Sequence, residues 1–187
     1  MTQSFGFRGM LMSSVMASLL VACGPEQEPA ADVEVSERSE VTTLAQALTS
    51  NVPVSLINRG SGKCMDIAGN NMKNGAALYL WSCLGGANQK FTLQPDGAGY
   101  YSLVAQHSGL CLSVGYYNTQ RGAALYQYNC IGHDNQKFDF IDLGTGYYNL
   151  RPKQQTTMVS VHDNWDNGAL IAVGLGVGAS AEFRLGL

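Results

Sequence analysis

Two stretches of the chain have nearly the same amino-acid sequence, and this repeat decides the fold. Residues 64–91 read CMDIAGNNMKNGAALYLWSCLGGANQKF, and residues 111–138 read CLSVGYYNTQRGAALYQYNCIGHDNQKF, at an offset of 47 residues. Both contain Gly-Ala-Ala-Leu, two cysteines 19 residues apart and a closing Asn-Gln-Lys-Phe. A unit of this length does not bury its apolar face alone, so we expect the copies to pack against one another.

A third and more degenerate copy follows the second. Met158-Val-Ser-Val lies 47 residues after Cys111-Leu-Ser-Val, and Asn167-Gly-Ala-Leu and Ala181-Glu-Phe183 follow one and two residues early. The three repeat units run over residues 52–98, 99–145 and 146–187. Three units are few enough to close a ring with pseudo-threefold symmetry, so we do not expect an open solenoid.

Local signals predict an all-β domain. Only 13% of the residues are charged and 22 are glycine, which is typical of short strands joined by turns. The strands predicted in the first unit are Pro53–Ile57, Cys64–Ile67, Ala77–Trp81 and Gln89–Leu93. Three units give about twelve strands, and a closed arrangement removes exposed strand edges. The three-fold core sets are expected to be Leu78, Leu125 and Ile171, and Phe91, Phe138 and Phe183.

Charge is distributed unevenly along the chain. Residues 26–40 hold six acids, whereas the chain from residue 52 onward holds nine Lys and Arg against eight Asp and Glu. The repeat region is therefore near neutral and shows no basic face. This argues against a nucleic-acid partner.

Residues 1–22 are predicted to be an export signal. Arg8 supplies a positive charge, and the apolar residues 9–22 are too few to span a hydrocarbon core of ~30 Å, which takes about 20 residues. The segment ends Leu20-Val-Ala-Cys23, which is similar to the lipobox of bacterial lipoproteins. An ordinary signal peptide with a chance cysteine is the alternative.

The lipobox resemblance implies a membrane anchor. It implies cleavage before Cys23 and lipidation of that cysteine, and several acyl chains make such attachment long-lived. Gly24, rather than aspartate, follows, which by the sorting rule of enteric lipoproteins implies the outer membrane of a bacterial cell envelope. Residues 23–51 then form the lipidated cysteine and an acidic, disordered tether without aromatic residues.

The other four cysteines predict two disulfides. In each of the first two units the cysteines lie 19 residues apart, which in an oxidising compartment favours Cys64–Cys83 and Cys111–Cys130. Each bridge would close a loop of about 20 residues and stabilise by roughly 3 kcal/mol on the chain-entropy model. No Cys-x-x-Cys pair occurs, and the three histidines keep no consistent position in the units, so we expect no metal site.

The repeated text resembles the ricin B-chain family of β-trefoil lectins, which includes carbohydrate-binding modules of many bacterial glycoside hydrolases. The resemblance rests on Gly62-Lys-Cys-Met-Asp-Ile67, the Asn74-Gly-Ala turn, Trp81-Ser-Cys83 and Asn88-Gln-Lys-Phe91. The last aromatic is usually Trp in the family and is Phe in all three units here. The resemblance covers residues 52–187 and implies a β-trefoil that binds carbohydrate.

On the family's pattern, the first unit carries a complete sugar site. The resemblance implies that Asp66 accepts two sugar hydroxyls, that Trp81 stacks on the apolar ring face and that Asn88 bonds the same hydroxyl pair. It also implies that Gln89 orients the aspartate and that Tyr79, on the same strand face as Trp81, hydrogen-bonds the ligand. Taken singly, each side chain also has a structural explanation, such as a turn cap for Asp66 or a core position for Trp81.

The other units are less complete. In the second unit Ser113 replaces the acid and loses its charge-assisted acceptor, although Asp134 could substitute from a neighbouring loop. The remaining residues of a candidate second site are Tyr128, Asn135 and Gln136. The third unit has Ser160 and Gly174 at the equivalent positions, so we expect no family-type site there.

No catalytic signature is present. Glycosidases need two carboxylates flanking one bond, and Asp66 has no obvious acidic partner. The sequence also lacks the G-x-S-x-G, H-E-x-x-H and P-loop strings. We therefore expect a monomeric, non-enzymatic module without a cofactor, which binds galactose- or xylose-type glycans. The alternative is a protein-interaction or inhibitor trefoil of the cell envelope with decayed sugar sites.

Overall fold

The structure, a computed structural model, describes residues 52–115, 120–161 and 166–187. The predicted export signal, Cys23 and the tether lie outside the described residues. Twelve short strands are present in the described part: β1 (Ser55–Asn58), β2 (Cys64–Ile67), β3 (Leu78–Trp81), β4 (Phe91–Pro95), β5 (Tyr101–Ala105), β6 (Cys111–Val114), β7 (Leu125–Tyr128), β8 (Phe138–Asp142), β9 (Tyr148–Pro152), β10 (Val159–Val161), β11 (Ala169–Val173) and β12 (Glu182–Gly186). The all-β prediction is confirmed.

Six of the strands close into a barrel. β1 pairs with β12, β12 with β9, β9 with β8, β8 with β5 and β5 with β4, all antiparallel. Val54, just before β1, completes the circle, because its N–H and its carbonyl each bond Phe91 of β4 at 2.8 Å. Every strand of the barrel therefore has a neighbour on both sides, and no barrel edge is left to pair with another chain.

The other six strands form three hairpins, β2–β3, β6–β7 and β10–β11, one in each repeat. Three equivalent backbone hydrogen bonds of 2.8 Å join them, from Gly75 N–H to the Gln127 carbonyl, from Gly122 N–H to the Val173 carbonyl and from Gly168 N–H to the Leu80 carbonyl. Each donor is a glycine with φ between 84° and 89°, which side chains disfavour. Because the third repeat bonds back to the first, the molecule is a β-trefoil with pseudo-threefold symmetry, as predicted.

The core follows the same symmetry. The six residues predicted for the core sets are fully buried. Phe91 is the first residue of β4, Phe138 is the first residue of β8, and Phe183 is the second residue of β12. The three rings thus occupy the equivalent place in each repeat. Removing one such ring would cost about 3–5 kcal/mol, because the lost transfer energy is added to that of the cavity left behind.

Both predicted disulfides are formed. Cys64 bonds Cys83 and Cys111 bonds Cys130, with Cα atoms 5.0 Å apart in each pair. Each bridge joins the first strand of a hairpin to the loop after the second strand. The third repeat has Met158 and Gly176 at these positions, so its loop is held by packing and hydrogen bonds alone.

The predicted strand limits need three corrections in the first repeat. The strand predicted over Ala77–Trp81 begins at Leu78, with Ala77 in an isolated bridge. The strand predicted over Pro53–Ile57 occupies Ser55–Asn58, with Val54 in an isolated bridge. The strand predicted to begin at Gln89 begins at Phe91, because a single 3-10 turn spans Ala87–Gln89. Gln89 in that turn is buried, and its side chain donates a hydrogen bond to Asp66.

None of the helices in the described residues is long and apolar enough to cross a membrane. The described part of the chain also contains no cluster of three or more His, Cys, Asp or Glu side chains able to hold a metal ion.

Candidate functional site

The first hairpin places an acid opposite an aromatic residue. Asp66 on β2 is the cross-strand partner of Tyr79 on β3. Because side chains alternate along a strand, Leu78 and Leu80 point into the core while Tyr79 and Trp81 share the outer face. Trp81 is 42% exposed, so it is not a core residue.

Both polar groups of the Gln89 side chain are hydrogen-bonded to neighbouring residues of the site. Its Nε2 donates to Asp66 Oδ2 at 2.7 Å and to the Ser82 carbonyl at 2.8 Å. Its Oε1 accepts the N–H groups of Leu84 at 2.8 Å and Gly85 at 3.2 Å. With two donors and one carbonyl all bonded, Gln89 has no donor left for a ligand. It fixes the carboxylate and the loop behind it, in the orienting place that the resemblance implies.

Asn88 also contacts the acid. Its Nδ2 donates to Asp66 Oδ2 at 3.1 Å and to the Ile67 carbonyl at 3.2 Å. Both amide hydrogens are therefore used within the protein, and the group that Asn88 can offer to a ligand is its carbonyl oxygen. Sequence reasoning placed Asn88 beside the same hydroxyl pair as Asp66 but did not anticipate this internal bond.

The carboxylate of Asp66 is mostly buried and only half satisfied. The residue is 8% exposed, and burial raises the pKa of its carboxyl, while the Gln89 and Asn88 hydrogen bonds and the nearby His107 act in the opposite direction. Both amide hydrogen bonds converge on Oδ2. Oδ1 accepts no hydrogen bond from a described residue, which leaves it available to a ligand.

These groups line one concave site, which we call the first-repeat cleft. Its volume is about 640 Å³. The structure brings all five predicted residues to it: Asp66, Tyr79, Trp81, Asn88 and Gln89. Asn70 also lines the cleft. The neighbouring Asn71 accepts the Lys73 N–H through Oδ1 at 2.9 Å, and its backbone carbonyl accepts a hydrogen bond from Gln127 Nε2 at 2.6 Å.

Four further lining residues were not anticipated. They are Ala68, Gly69, Leu84 and Gly168. Leu84 is 75% exposed and extends the apolar wall beyond Trp81. Its place directly after Cys83 was the available signal, since Leu84 lies in the loop that follows β3 and its aromatic residue.

Gly168 belongs to the third repeat, which therefore builds part of the first-repeat cleft. Its N–H bonds the Leu80 carbonyl at 2.8 Å, and β11 pairs with β3. Next to it, Asn167 Oδ1 accepts the Ser82 N–H at 3.0 Å. Ser82 follows Trp81 directly and is thus fixed by Asn167 at its N–H and by Gln89 at its carbonyl.

The second repeat keeps the glutamine but not the acid. Gln136 Nε2 donates to Ser113 Oγ at 2.9 Å and to the Asn129 carbonyl at 2.8 Å. Asn135 donates to the Val114 carbonyl at 3.2 Å. Its own Oδ1 is buried without a partner among the described residues. The second site thus has a hydroxyl where the first has a carboxylate.

Two other residues bear on the second repeat. Tyr128 is half-buried and packs edge-on against Tyr126, with ring centroids 6.2 Å apart. Asp134 does not replace the missing acid, because its carboxylate pairs with Lys153 Nζ at 3.0 Å. None of the predicted second-site residues lines the first-repeat cleft.

The third repeat has lost the glutamine as well. Ser160 Oγ accepts the N–H groups of Leu175 at 2.9 Å and Gly176 at 3.0 Å, so the loop docks directly on the serine. Ala181 occupies the place of the glutamine, and Gly174 that of the aromatic residue.

Fold and site together define a class. A β-trefoil that places an acid, two amides and an exposed indole around one cleft is a carbohydrate-binding domain of the lectin type. The chain belongs to the ricin-type β-trefoil lectin domain-like family, whose model matches residues 43–123 and residues 87–173. The two overlapping matches fit the internal repeat.

Solved structures agree with this assignment. The chain is 36% identical to ThreeFoil, a designed 3-fold symmetric protein, with 71% of this chain and 96% of that chain covered and a TM-score of 0.69. It is 27% identical to an exo-β-1,3-galactanase from Clostridium thermocellum, over 75% of this chain but only 31% of that chain, with a TM-score of 0.71. The chain is 15% identical to the Macrolepiota procera ricin B-like lectin, which was solved in complex with lactose. That match covers 73% of this chain and 96% of the lectin, and the TM-score of 0.63 shows a shared fold.

Proposed function

We propose that the chain binds a saccharide non-covalently, chiefly in the first-repeat cleft. The observation that carries this proposal is the half-satisfied Asp66 carboxylate. Two amides hold it by Oδ2, Oδ1 accepts no hydrogen bond from a described residue, and the exposed indole of Trp81 lines the same cleft. Burying a carboxylate is unfavourable unless its oxygens find donors. Vicinal hydroxyls of a sugar supply those donors.

The remaining groups of the cleft match the two chemistries of a sugar ring. The Asp66 and Asn88 oxygens accept hydroxyl hydrogens, and the Tyr79 hydroxyl can donate or accept. Trp81 covers the apolar C–H face, and Leu84 extends that surface. A single open site of this kind is expected to bind at about −4 to −5 kcal/mol, a dissociation constant in the high micromolar to millimolar range.

Galactose-type glycans are the first ligands to test, with xylose-type glycans second. The lactose bound by the Macrolepiota procera lectin and the galactan-directed enzyme from Clostridium thermocellum support that order. Within the described part of the chain, Asp66 is the only acid that lines the cleft, which supports binding rather than glycoside hydrolysis, since hydrolysis takes two carboxylates.

The test is titration calorimetry of the purified chain with lactose and with xylobiose. Asp66→Asn and Trp81→Ala are each expected to weaken binding by about tenfold or more, because they remove the charged acceptor and the stacking ring. Tyr128→Ala, the matched change in the second repeat, is expected to leave binding nearly unchanged. Binding that survives both first-repeat substitutions would refute this assignment. If the chain binds neither glycan, the protein-interaction alternative gains.

We also propose that the domain is displayed on a membrane of the bacterial envelope. The support is sequence alone: the export signal over residues 1–22, the lipobox ending at Cys23 and the acidic tether up to residue 51. Anchored copies at high surface density would raise the avidity of a weak site. Mass spectrometry of the membrane-extracted chain is expected to find acyl groups on an N-terminal Cys23, and Cys23→Ser is expected to release the chain from the membrane fraction.

A further inference from the structure

The third repeat contains a second cleft, at the place where the other repeats carry their disulfide and stacking aromatic. Its volume is about 370 Å³. Met158 and Gly176 stand at the half-cystine positions, Gly174 stands at the aromatic position, and all three line the cavity. The third repeat therefore has a cavity at positions where the other two repeats carry a disulfide and an aromatic ring.

An arginine from the neighbouring repeat enters this space. Arg121 lies in the turn before β7, and its Nε donates to the Gly174 carbonyl at 2.9 Å. A Cβ at Gly174 would lie 3.2 Å from Arg121 Cγ and 3.2 Å from Thr157 Oγ1. Any side chain at residue 174 would therefore crowd the arginine, and the glycine fixes where Arg121 crosses the cleft. We call this the Arg121 cleft.

No described residue compensates the charge of Arg121. Among the described residues, Arg121 is the only charged side chain that lines the cleft. Its Nη groups have no hydrogen-bond or ion-pair partner among residues 52–115, 120–161 and 166–187. By contrast, Arg59 and Arg151 pair with Glu182 and Asp139. A guanidinium held by Nε with its Nη groups free presents paired donors suited to a carboxylate.

The other walls offer both polar and apolar contacts. Asn149 lines the cleft, and its side-chain amide makes no hydrogen bond to a described residue. The Thr157 hydroxyl has only a 3.3 Å contact to Gln155. Met158 and Val177 add apolar surface, and Val177 is 90% exposed. A ligand with hydroxyls on one side and C–H groups on the other would satisfy both walls.

We propose that the Arg121 cleft is a second binding site, which takes a small carboxylate-bearing ligand of the sugar-acid type. The Arg121 guanidinium holds the carboxylate, while Asn149 and Thr157 bond the hydroxyls. Met158 and Val177 cover the apolar face. The site is independent of the first-repeat cleft, because it uses the second and third repeats and none of the first-repeat side chains.

The test compares two probes that differ only in the group at C6, D-glucuronate with a carboxylate and D-glucose with a hydroxymethyl group. Each is titrated into the ¹⁵N-labelled full-length chain carrying Trp81→Ala, which weakens binding in the first-repeat cleft. Glucuronate is expected to shift the backbone amides of Gly174, Gly176 and Gly178 in a saturable way, and glucose is not. Arg121→Gln is expected to weaken the glucuronate response by about tenfold or more.

Arg184→Gln is the matched control, since Arg184 also lacks a hydrogen-bond or ion-pair partner among the described residues but lies on β12 away from the cleft. It makes the same change of charge and is expected to leave the response unchanged. If Arg121→Gln disturbs folding, Asn149→Ala replaces it and is expected to weaken binding severalfold. Equal responses to the two probes, no saturable response to glucuronate, or a glucuronate response that survives a folded Arg121→Gln or Asn149→Ala would overturn the proposal.

Discussion

The first and second repeats hold the same buried glutamine in the same way, but they place different groups in front of it. Gln89 and Gln136 each bond two backbone N–H groups through Oε1 and one backbone carbonyl through Nε2. The fourth bond goes to the Asp66 carboxylate in the first repeat and to the Ser113 hydroxyl in the second. A hydroxyl thus satisfies the glutamine as well as a carboxylate does.

The comparison separates what the fold needs from what a ligand needs. Both repeats need the glutamine, because it ties the loop after the second hairpin strand to the first strand. The fold does not need the acid of the first repeat, since its burial is unfavourable and serine can take its place. On the proposed function, a ligand accounts for the carboxylate, whereas stability accounts for the glutamine.

The largest effect is expected from removing the glutamine. Gln89→Ala should cost about 3–5 kcal/mol, because it strips a hydrogen bond from a buried carboxylate and leaves loop groups unpaired. Gln136→Ala should cost less, about 2–3 kcal/mol, because its partner is a neutral hydroxyl. Urea unfolding with the disulfides intact measures both, with the exposed Gln94→Ala as the control. Equal losses in the two repeats would show that the charge of Asp66 does not set the difference.

A smaller effect is expected from placing an acid in the second repeat. Ser113 is fully buried, so Ser113→Asp should cost about 1–3 kcal/mol at neutral pH. The loss should shrink in acid, where the new carboxyl is protonated. Ser113→Asn has nearly the same size without charge and separates the effect of volume from that of ionisation. If the aspartate proves as stable as the asparagine at neutral pH, then burial does not explain why the two repeats differ.

The gain in unfolding free energy on removing the buried charge of Asp66 should be smaller still, and it should depend on pH. Burial raises the pKa of Asp66 above its ordinary value, so its contribution to stability is full below that value and is lost as the pH rises through the folded-state pKa. Asp66→Asn should therefore gain stability relative to wild type as the pH rises through this window. Saccharide binding by wild type should fall on acidification before an ordinary aspartate protonates. Denaturation and titration across the window measure both, and a gain that is independent of pH would contradict the burial argument.

The sequence predicted most of what lies within one repeat unit, although it missed exact strand limits and the hydrogen bond between Asn88 and Asp66. Local strand and turn signals predicted the hairpins, and the family resemblance implied Asp66, Trp81 and Gln89. These three meet in one cleft because β2, β3 and the turn before β4 are adjacent. Other features that the sequence could not predict depend on ring closure. Gly168 reaches the first-repeat cleft only because the third repeat bonds back to the first. The Arg121 cleft exists because Gly174 has no side chain where the other repeats have an aromatic ring. A sequence pattern identifies the residues that are present, but it does not reveal a cavity left by a small residue.

The smallest effect is expected from removing the hydrogen bond between Asn167 of the third repeat and Ser82 of the first repeat. Asn167 Oδ1 accepts the Ser82 N–H at 3.0 Å, whereas Asn74, at the equivalent turn position of the first repeat, makes no side-chain hydrogen bond to a described residue. A neutral hydrogen bond contributes about 0.5–1.5 kcal/mol, and only part of this reaches the ligand through Trp81. Asn167→Ala should therefore raise the dissociation constant for saccharide about two- to threefold.

The conservative variant and the control separate a positioning role from a general one. Asn167→Asp keeps an oxygen acceptor and should restore wild-type binding, while Asn74→Ala should change neither binding nor the indole N–H resonance of Trp81. A change in that resonance in Asn167→Ala, reversed in Asn167→Asp, would show that the third repeat positions the first repeat's aromatic ring. If Asn167→Ala lowers unfolding stability but leaves the resonance and the affinity unchanged, then the contact only supports the fold, and the first-repeat cleft depends on its own residues alone.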